Sequence, residues 1–244
     1  MPRCPFKGTL GWNEHLRRNM HIVATYDNGN KAIYSDMLHV LGKIFRANLK
    51  ADDQNIVCIE GQPGSGKSTL AIHLAKAIQP DWTIESGYIY DEDDLIVKMR
   101  QTSTDQVFLF DEASLALNSR DSMTKSSRNI IAILDTCRSR HNSVIFVLPS
   151  FDDLNKSVRE RLCQCRIFCC GREDRIIPGY SSRGFFRVYF PKHGQWSDTW
   201  WQQVGMGVFP KLDAETADEY TKIKQLHQDE YLKSLQTSKE VEEE

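Results

Sequence analysis

Long apolar runs are missing from this sequence. No stretch approaches the ~20 apolar residues that a bilayer-spanning helix requires, so no transmembrane segment is expected. The opening Met1-Pro2-Arg3-Cys4-Pro5 has no apolar block behind it, and a secretory leader is not expected either. Internal repeats are absent, and low complexity is confined to the acidic run Glu240–Glu244, expected to be disordered. The seven cysteines are odd in number, which argues against a disulfide scaffold and for a reducing interior: the cytoplasm, or a host's cytoplasm if the source is viral. Four of them, at 163, 165, 169 and 170, follow a C-x-C-x₃-C-C spacing that fits no common metal-ligand pair. On a strand, 163, 165 and 169 would share one face and 170 the other, so burial in a core strand explains them better than zinc.

A strong overall charge is also lacking. The formal net charge is only −2, yet it is unevenly spread. Residues 155–192 hold nine Lys or Arg against three Asp or Glu, whereas residues 193–244 hold five against eleven. Such a basic segment suits a polyanion or the nucleotide of a neighbouring subunit.

What is present is concentrated at Gly61-Gln62-Pro63-Gly64-Ser65-Gly66-Lys67-Ser68, followed by Thr69. Every fixed position of the phosphate-binding pattern G-x-x-x-x-G-K-[ST] is filled. The apolar run Ile56-Val57-Cys58-Ile59 precedes it as a buried strand. Leu70, Leu74, Ala75 and Ile78 follow at helical spacing until Pro80. Glycines let successive backbone N–H groups curl around a phosphate at a helix N-terminus, where the dipole also favours negative charge. Lys67 then reaches the β- and γ-phosphates, and the Ser68 hydroxyl ligates Mg²⁺. The residues therefore imply a nucleoside triphosphate site. ATP is expected rather than GTP, because no N/T-K-x-D stretch for reading guanine is present.

A second stretch, Gln106-Val107-Phe108-Leu109-Phe110-Asp111-Glu112, describes a buried strand that delivers two carboxylates at its C-terminal end, where open parallel sheets hold ligands. Asp111 suits a Mg²⁺ contact, the Walker-B role, and Glu112 suits the base that polarises an attacking water. Ser143–Leu148 continues into Pro149-Ser150 as another buried strand. Were it to lie between the loop strand and the acidic strand, Ser150 would sit near the γ-phosphate as a sensor; the alternative is a strand-end serine capping a helix.

The remaining segments read as follows. Residues 1–20 are an irregular arm, and His21–Tyr26 is a short strand closed by the turn Asp27–Asn30. Ile33, Met37, Leu38, Leu41, Ile44, Phe45 and Leu49 predict an amphipathic helix over 31–50. Gly87–Tyr90 is a short strand whose acidic exit Asp91–Asp94 begins a helix. A loop over 113–121 and a helix over about 122–140 follow the carboxylates. Cys165–Gly171 and Gly184–Phe190 are strands, candidates for a hairpin. Trp196, Trp200, Trp201, Phe209 and Pro210 mark an irregular segment, and a polar helix is expected from Asp213 to about Leu235. These elements divide into an arm and helix (1–54), a nucleotide-binding core (55–192) and an aromatic-rich segment with helix and tail (193–244).

One additional strand between the two motifs, with a glutamate beside the Walker-B Asp, resembles the additional-strand, catalytic-glutamate (ASCE) division of P-loop ATPases, which includes RecA-like, AAA+ and FtsK–HerA motors. From Asp111 to Arg161 the chain resembles more closely the small ATPases of archaea and their viruses, related to FtsK–HerA packaging motors, and the zonula occludens toxin-like ATPases. The likeness rests on Asp111-Glu112-Ala113, Arg128-Asn129 and Arg138, Val147-Leu148-Pro149-Ser150, Asp152-Asp153-Leu154 and Val158-Arg159. It implies a three-layer α/β fold with a mostly parallel central sheet, an N-terminal helix and a C-terminal helical extension. It also implies Mg²⁺-dependent ATP hydrolysis by a homo-oligomeric ring acting on DNA or, with a protein partner, on another polymer, and an arginine supplied in trans. Arg159 or Arg161 is favoured for that role, then Arg138. The rival reading is a small-molecule kinase, with arginines 159, 161, 166, 172 and 175 as a lid over phosphates; no acceptor pocket is evident for it.

Overall fold

The computed structural model describes residues 20–26, 31–101, 104–111, 133–134, 140–174, 176, 181–193 and 199–242. The chain divides into two compact units, Met1–Pro210 and Lys211–Glu244.

The first unit is built on a sheet of nine described strands: β1 (Ile22–Tyr26), β2 (Lys31–Tyr34), β3 (Asn55–Glu60), β4 (Tyr88–Ile89), β5 (Val107–Phe110), β6 (Ser143–Leu148), β7 (Cys165–Cys169), β8 (Phe185–His193) and β9 (Thr199–Val208). Their spatial order is β1-β2-β9-β8-β7-β3-β6-β5-β4. The five strands β7-β3-β6-β5-β4 are mutually parallel, and β8 and β9 extend the sheet as an antiparallel meander from β7. Every residue of β3, β5 and β6 is buried, as expected of parallel strands covered on both faces, whose sequences are continuous apolar runs and not alternating ones.

On one face lie α1 (Met37–Lys50) and α2 (Lys67–Ile78), packed on each other and on the strands. The opposite face carries Ile56 and Cys58 of β3, Phe108 and Phe110 of β5, and Val144, Phe146 and Leu148 of β6. These pack with Ile89, with Leu95 and Met99 of α4 (Glu92–Gln101), and with Leu134, Phe151, Leu154 and Val158. A short helix α3 (Ile84–Gly87), capped by Thr83, leads into β4. Helices and turns on both faces of the sheet give the three-layer arrangement expected of a P-loop NTPase. The acidic run 91–94 does begin a helix: Asp91 accepts from the Asp94 N–H at 2.8 Å, and Asp94 pairs with Lys98 at 3.5 Å.

Three expectations need correction. Residues 31–34 form β2, paired antiparallel with β1, and the helix starts only at Met37. Ile33 lies four residues before Met37 and so fits the helical period by coincidence. Its side chain is fully buried in the cluster with Cys170, Ile176 and Met206. The aromatic-rich segment is in part a ten-residue strand, β9, paired with β8 from Thr199 to Val208. Gly205 and Gly207 hide its strand character, and both lie against Met37 of α1, where a larger side chain would collide. Third, Cys163 precedes β7 and joins the cluster containing Cys58, while Cys165 and Cys169 point to one face of the strand and Cys170 packs in the cluster with Ile33. The hairpin between the two basic strands does form, with Arg166 opposite Tyr189 and Cys169 opposite Phe186.

The second unit is a single helix, α5 (Ala214–Glu242), whose first turn is capped by Asp213 accepting from the Thr216 N–H at 2.8 Å. It runs past the expected end near Leu235 and through most of the acidic tail, because neither Gly nor Pro follows Pro210 to stop it. Among the described residues, no helix is long and apolar enough to cross a membrane. The expected arm, the loop over 113–121 and most of the helix over 122–140 lie outside the described residues.

Candidate active site

The loop begins where β3 ends. Gly61 donates its N–H to the Pro149 carbonyl at 3.3 Å, which ties it to the exit of the adjacent β6. On its other side, β7 approaches so closely that a Cβ on Gly61 would collide with the Cys169 carbonyl oxygen. Ser65 N–H donates to the Gln62 carbonyl at 3.1 Å and closes the turn. Gly66 then caps α2 in the left-handed conformation, φ 99°, that a side chain disfavours. Lys67 Nζ reaches back to the carbonyls of Gly61 at 2.8 Å and Gln62 at 3.1 Å, so the ammonium sits over the loop's own curl. Gln62, Pro63 and Gly64 are exposed, and no atom of the described residues lies within 4 Å of where a Gly64 Cβ would stand.

Two observations test whether this cradle fits a polyphosphate. Ser65 is 2% exposed and its hydroxyl has no hydrogen-bond partner among the described residues, an orphaned group beside a cation and a helix N-terminus. The space above Gly64 is open among the described residues. Both match an anionic chain lying along the loop, and Ser68 and Thr69 follow it half-buried in the first turn of α2.

Asp111 lies immediately after β5, 3% exposed, and accepts from Tyr88 Oη of the neighbouring β4 at 3.4 Å. β6 is inserted between β3 and β5, which is the condition set above for Ser150 to lie near the loop. Ser150 in fact caps a 3₁₀ turn, Phe151–Asp153: its Oγ accepts from the Asp152 N–H at 3.3 Å, and Asp153 accepts from the Ser150 N–H at 3.1 Å. A hydroxyl that accepts in this way still has a proton to donate. Arg159 is turned onto its own chain, paired with Asp152 and 5.9 Å over the Phe151 ring, whereas Arg161 is exposed. Glu112 and Arg138 lie outside the described residues.

One site group, Glu60, is not singled out from the sequence, and Arg166 figures there only as part of a phosphate lid. Glu60, the residue before the loop, is 4% exposed; one oxygen accepts from the Phe151 N–H at 2.7 Å and the other is paired with Arg166. Arg166 in turn lies 4.8 Å over Phe151 and 5.5 Å over Tyr189, so the loop strand, the exit of β6 and β7 are joined by one buried charge. A charged residue ending an otherwise apolar strand was the available signal. The described thiols are held protonated: burial pushes Cys169, which donates to the Ser65 carbonyl at 3.4 Å, up to about 11 and Cys163 up to about 12, and pushes Cys58 and Cys165 up as well.

Comparison with known proteins gives one family: the model described as nSTAND3, Novel STAND NTPase 3, matches residues 43–173, just over half of the chain. No curated protein matches. Among solved structures, the chain is similar to the genome packaging NTPase B204 of Sulfolobus turreted icosahedral virus 2 in complex with ATP-gammaS. That match has 17% identity, covers 65% of this chain and 98% of that one, and has a TM-score of 0.41. It is similar to the N-terminal domain of zonular occludens toxin from Neisseria meningitidis at 13% identity, over 68% and 98% of the two chains, with a TM-score of 0.38. A DNA polymerase III gamma subunit-related protein of Thermotoga maritima matches at 12% identity, over 57% and 47%, with a TM-score of 0.43.

Proposed function

The chain belongs to the Novel STAND NTPase 3 family of nucleotide-hydrolysing P-loop proteins, and from that premise we propose that it is a Mg²⁺-dependent ATPase that works as a homo-oligomer on a nucleic-acid polymer, by translocation, packaging or a related process. The observation that supports hydrolysis is a shared edge. Three adjacent parallel strands, β3, β6 and β5, end at the same side of the sheet in the loop, in Ser150 and in Asp111. Ligands of open parallel sheets sit at that edge.

In this reading Gly61–Thr69 wraps the phosphates with backbone N–H groups, and Lys67 exchanges the loop carbonyls for phosphate oxygens. Ser68 and Asp111 hold Mg²⁺, which when bound neutralises phosphate charge and orients the terminal group. Glu112 orients the attacking water, and Ser150 donates its free proton towards the terminal phosphate. Arg161, exposed on the turn Val158–Leu162, is the arginine offered to a neighbouring subunit, since Arg159 would first have to leave Asp152. The nucleic-acid partner rests on the sequence likeness and on the basic segment 155–192.

The test is phosphate release from ATP by wild type and Glu112→Gln, each with and without double-stranded DNA. The expected outcome is turnover that DNA accelerates and that the variant loses while still binding ATP. Transfer of phosphate to an added nucleoside with little release into water would replace this reading with a kinase. Slow hydrolysis indifferent to DNA would keep the ATPase and remove the nucleic-acid partner.

A further inference from the structure

We propose that Phe209 is the platform on which the base of the bound nucleoside triphosphate stacks, an assignment that rests on reading Gly61–Thr69 as a triphosphate loop. The loop has two flanks. On one lie the exits of β6 and β5, with the Pro149 carbonyl on Gly61 N–H, Ser150, and buried Asp111. Groups that act on the terminal phosphate occupy that flank, so a triphosphate seated on the loop directs its nucleoside end towards the other.

The other flank is made by β7, β8 and β9. Cys169 crowds Gly61 there, and a Gly171 Cβ would stand 3.8 Å from Gln62 Cβ and 3.7 Å from Asp174 Oδ2. Beyond them Phe209, just past the end of β9, brings ring atoms to 3.2 and 3.3 Å from where a Gly66 Cβ would be. The ring is therefore set against the capping residue of the nucleotide helix. Its backbone is pinned twice: Phe209 N–H donates to the Gly184 carbonyl at 2.9 Å, and the next carbonyl, Pro210, lies 3.1 Å from Nε2 of His73 on α2. Phe186 backs the ring at 6.2 Å between centroids, and the ring itself is only half-buried. A rigid, backed and partly open aromatic beside the phosphate cradle is the arrangement that stacks a base through its π-face. Stacking of this kind tolerates any base, so the ligand class is a nucleoside triphosphate with no edge-specific selection by this ring.

The experiment measures binding of ATP and of inorganic triphosphate, both with Mg²⁺, to wild type, Phe209→Ala and Phe209→Tyr. Phe209→Ala is expected to weaken ATP binding on the order of ten-fold, the usual scale for losing one stacked base. Inorganic triphosphate, which has no base, should bind wild type and Phe209→Ala alike, and Phe209→Tyr should keep the ATP affinity. Equal losses for both ligands would show that the ring only supports Gly66, and an unchanged ATP affinity in Phe209→Ala would show that it meets no base; either overturns the proposal. A wild type that binds neither ligand overturns the loop reading beneath it.

Discussion

Removing Arg166 should destabilise the nucleotide core by more than removing the charge of its partner. Glu60 has two oxygens to satisfy in a nearly closed site: its side chain is 6% exposed, one oxygen takes the Phe151 N–H and the other is paired with the Arg166 guanidinium. In Arg166→Ala the carboxylate stays buried with a single neutral donor. Breaking a fully buried pair in this way costs roughly 3–5 kcal/mol. The Arg166 side chain is 31% exposed, so water can reach part of the vacated space, and the expected loss falls to about 2–3 kcal/mol. Glu60→Gln keeps an acceptor for Phe151 N–H and leaves a guanidinium that is still stacked on Phe151 and Tyr189, for a loss of about 1 kcal/mol. Guanidinium unfolding followed by tryptophan fluorescence is a suitable assay, because Trp201 packs edge-on against Phe151 at 5.0 Å. The double variant should be coupled by at least ~1 kcal/mol relative to the sum of the singles. Losses below about 0.5 kcal/mol for Arg166→Ala, or additive behaviour, would refute the reasoning, since that is the range of an ordinary surface substitution.

Two further outcomes are expected. Ser150→Ala removes the cap of the 3₁₀ turn, so unfolding free energy should fall by about 1 kcal/mol. Turnover should fall by more than ten-fold if the hydroxyl also acts on the terminal phosphate, whereas turnover reduced less than two-fold leaves Ser150 a cap alone. The Cys163 thiol is raised from its ordinary 9.0 to about 12, so between those values the unfolded chain ionises while the folded one stays protonated. Stability conferred by this group is thus intact below pH 9 and declines as pH rises through the folded value, by about 1.4 kcal/mol per pH unit. Denaturant midpoints measured from pH 8 to 10.5 should therefore fall less steeply in Cys163→Ala, and an unchanged slope would contradict the burial of the thiol.

Much of the core was legible because its strands are buried on both faces and its loop has a fixed composition. Ile56–Ile59, Val107–Phe110 and Ser143–Leu148 each stand out as apolar runs with turn signals on both sides. The sheet order was accessible only as a condition attached to Ser150, because which strands become neighbours depends on long-range packing. The N-terminal hairpin was hidden by a residue, Ile33, that satisfies a helical period and a strand equally well. β9 was hidden by two glycines whose reason lies in α1, more than 150 residues earlier in sequence. Glu60 was not singled out, and Phe209 only as one of several aromatics of an irregular segment, for a common cause: a lone carboxylate and a lone ring acquire meaning only from what the fold sets beside them. The arginine proposed to act in trans is a similar case, since Arg159 and Arg161 are indistinguishable in sequence until one is seen turned onto Asp152.

The far edge of the sheet carries a consequence for how this protein is made. β2 joins the rest through β9, Tyr34 opposite Gly207, so the β1–β2 hairpin is synthesised well before the strand of its unit on which it docks. About 170 residues separate them, on the order of ten to thirty seconds of synthesis at ~5–20 residues per second. For that interval Ile33, fully enclosed in the finished protein, has no partner from β9, and Ile22 and Val23 remain about half exposed even afterwards. The growing chain thus carries a short apolar ribbon well before its berth exists, which makes the β1–β2 hairpin the first place to look when recombinant expression yields aggregates.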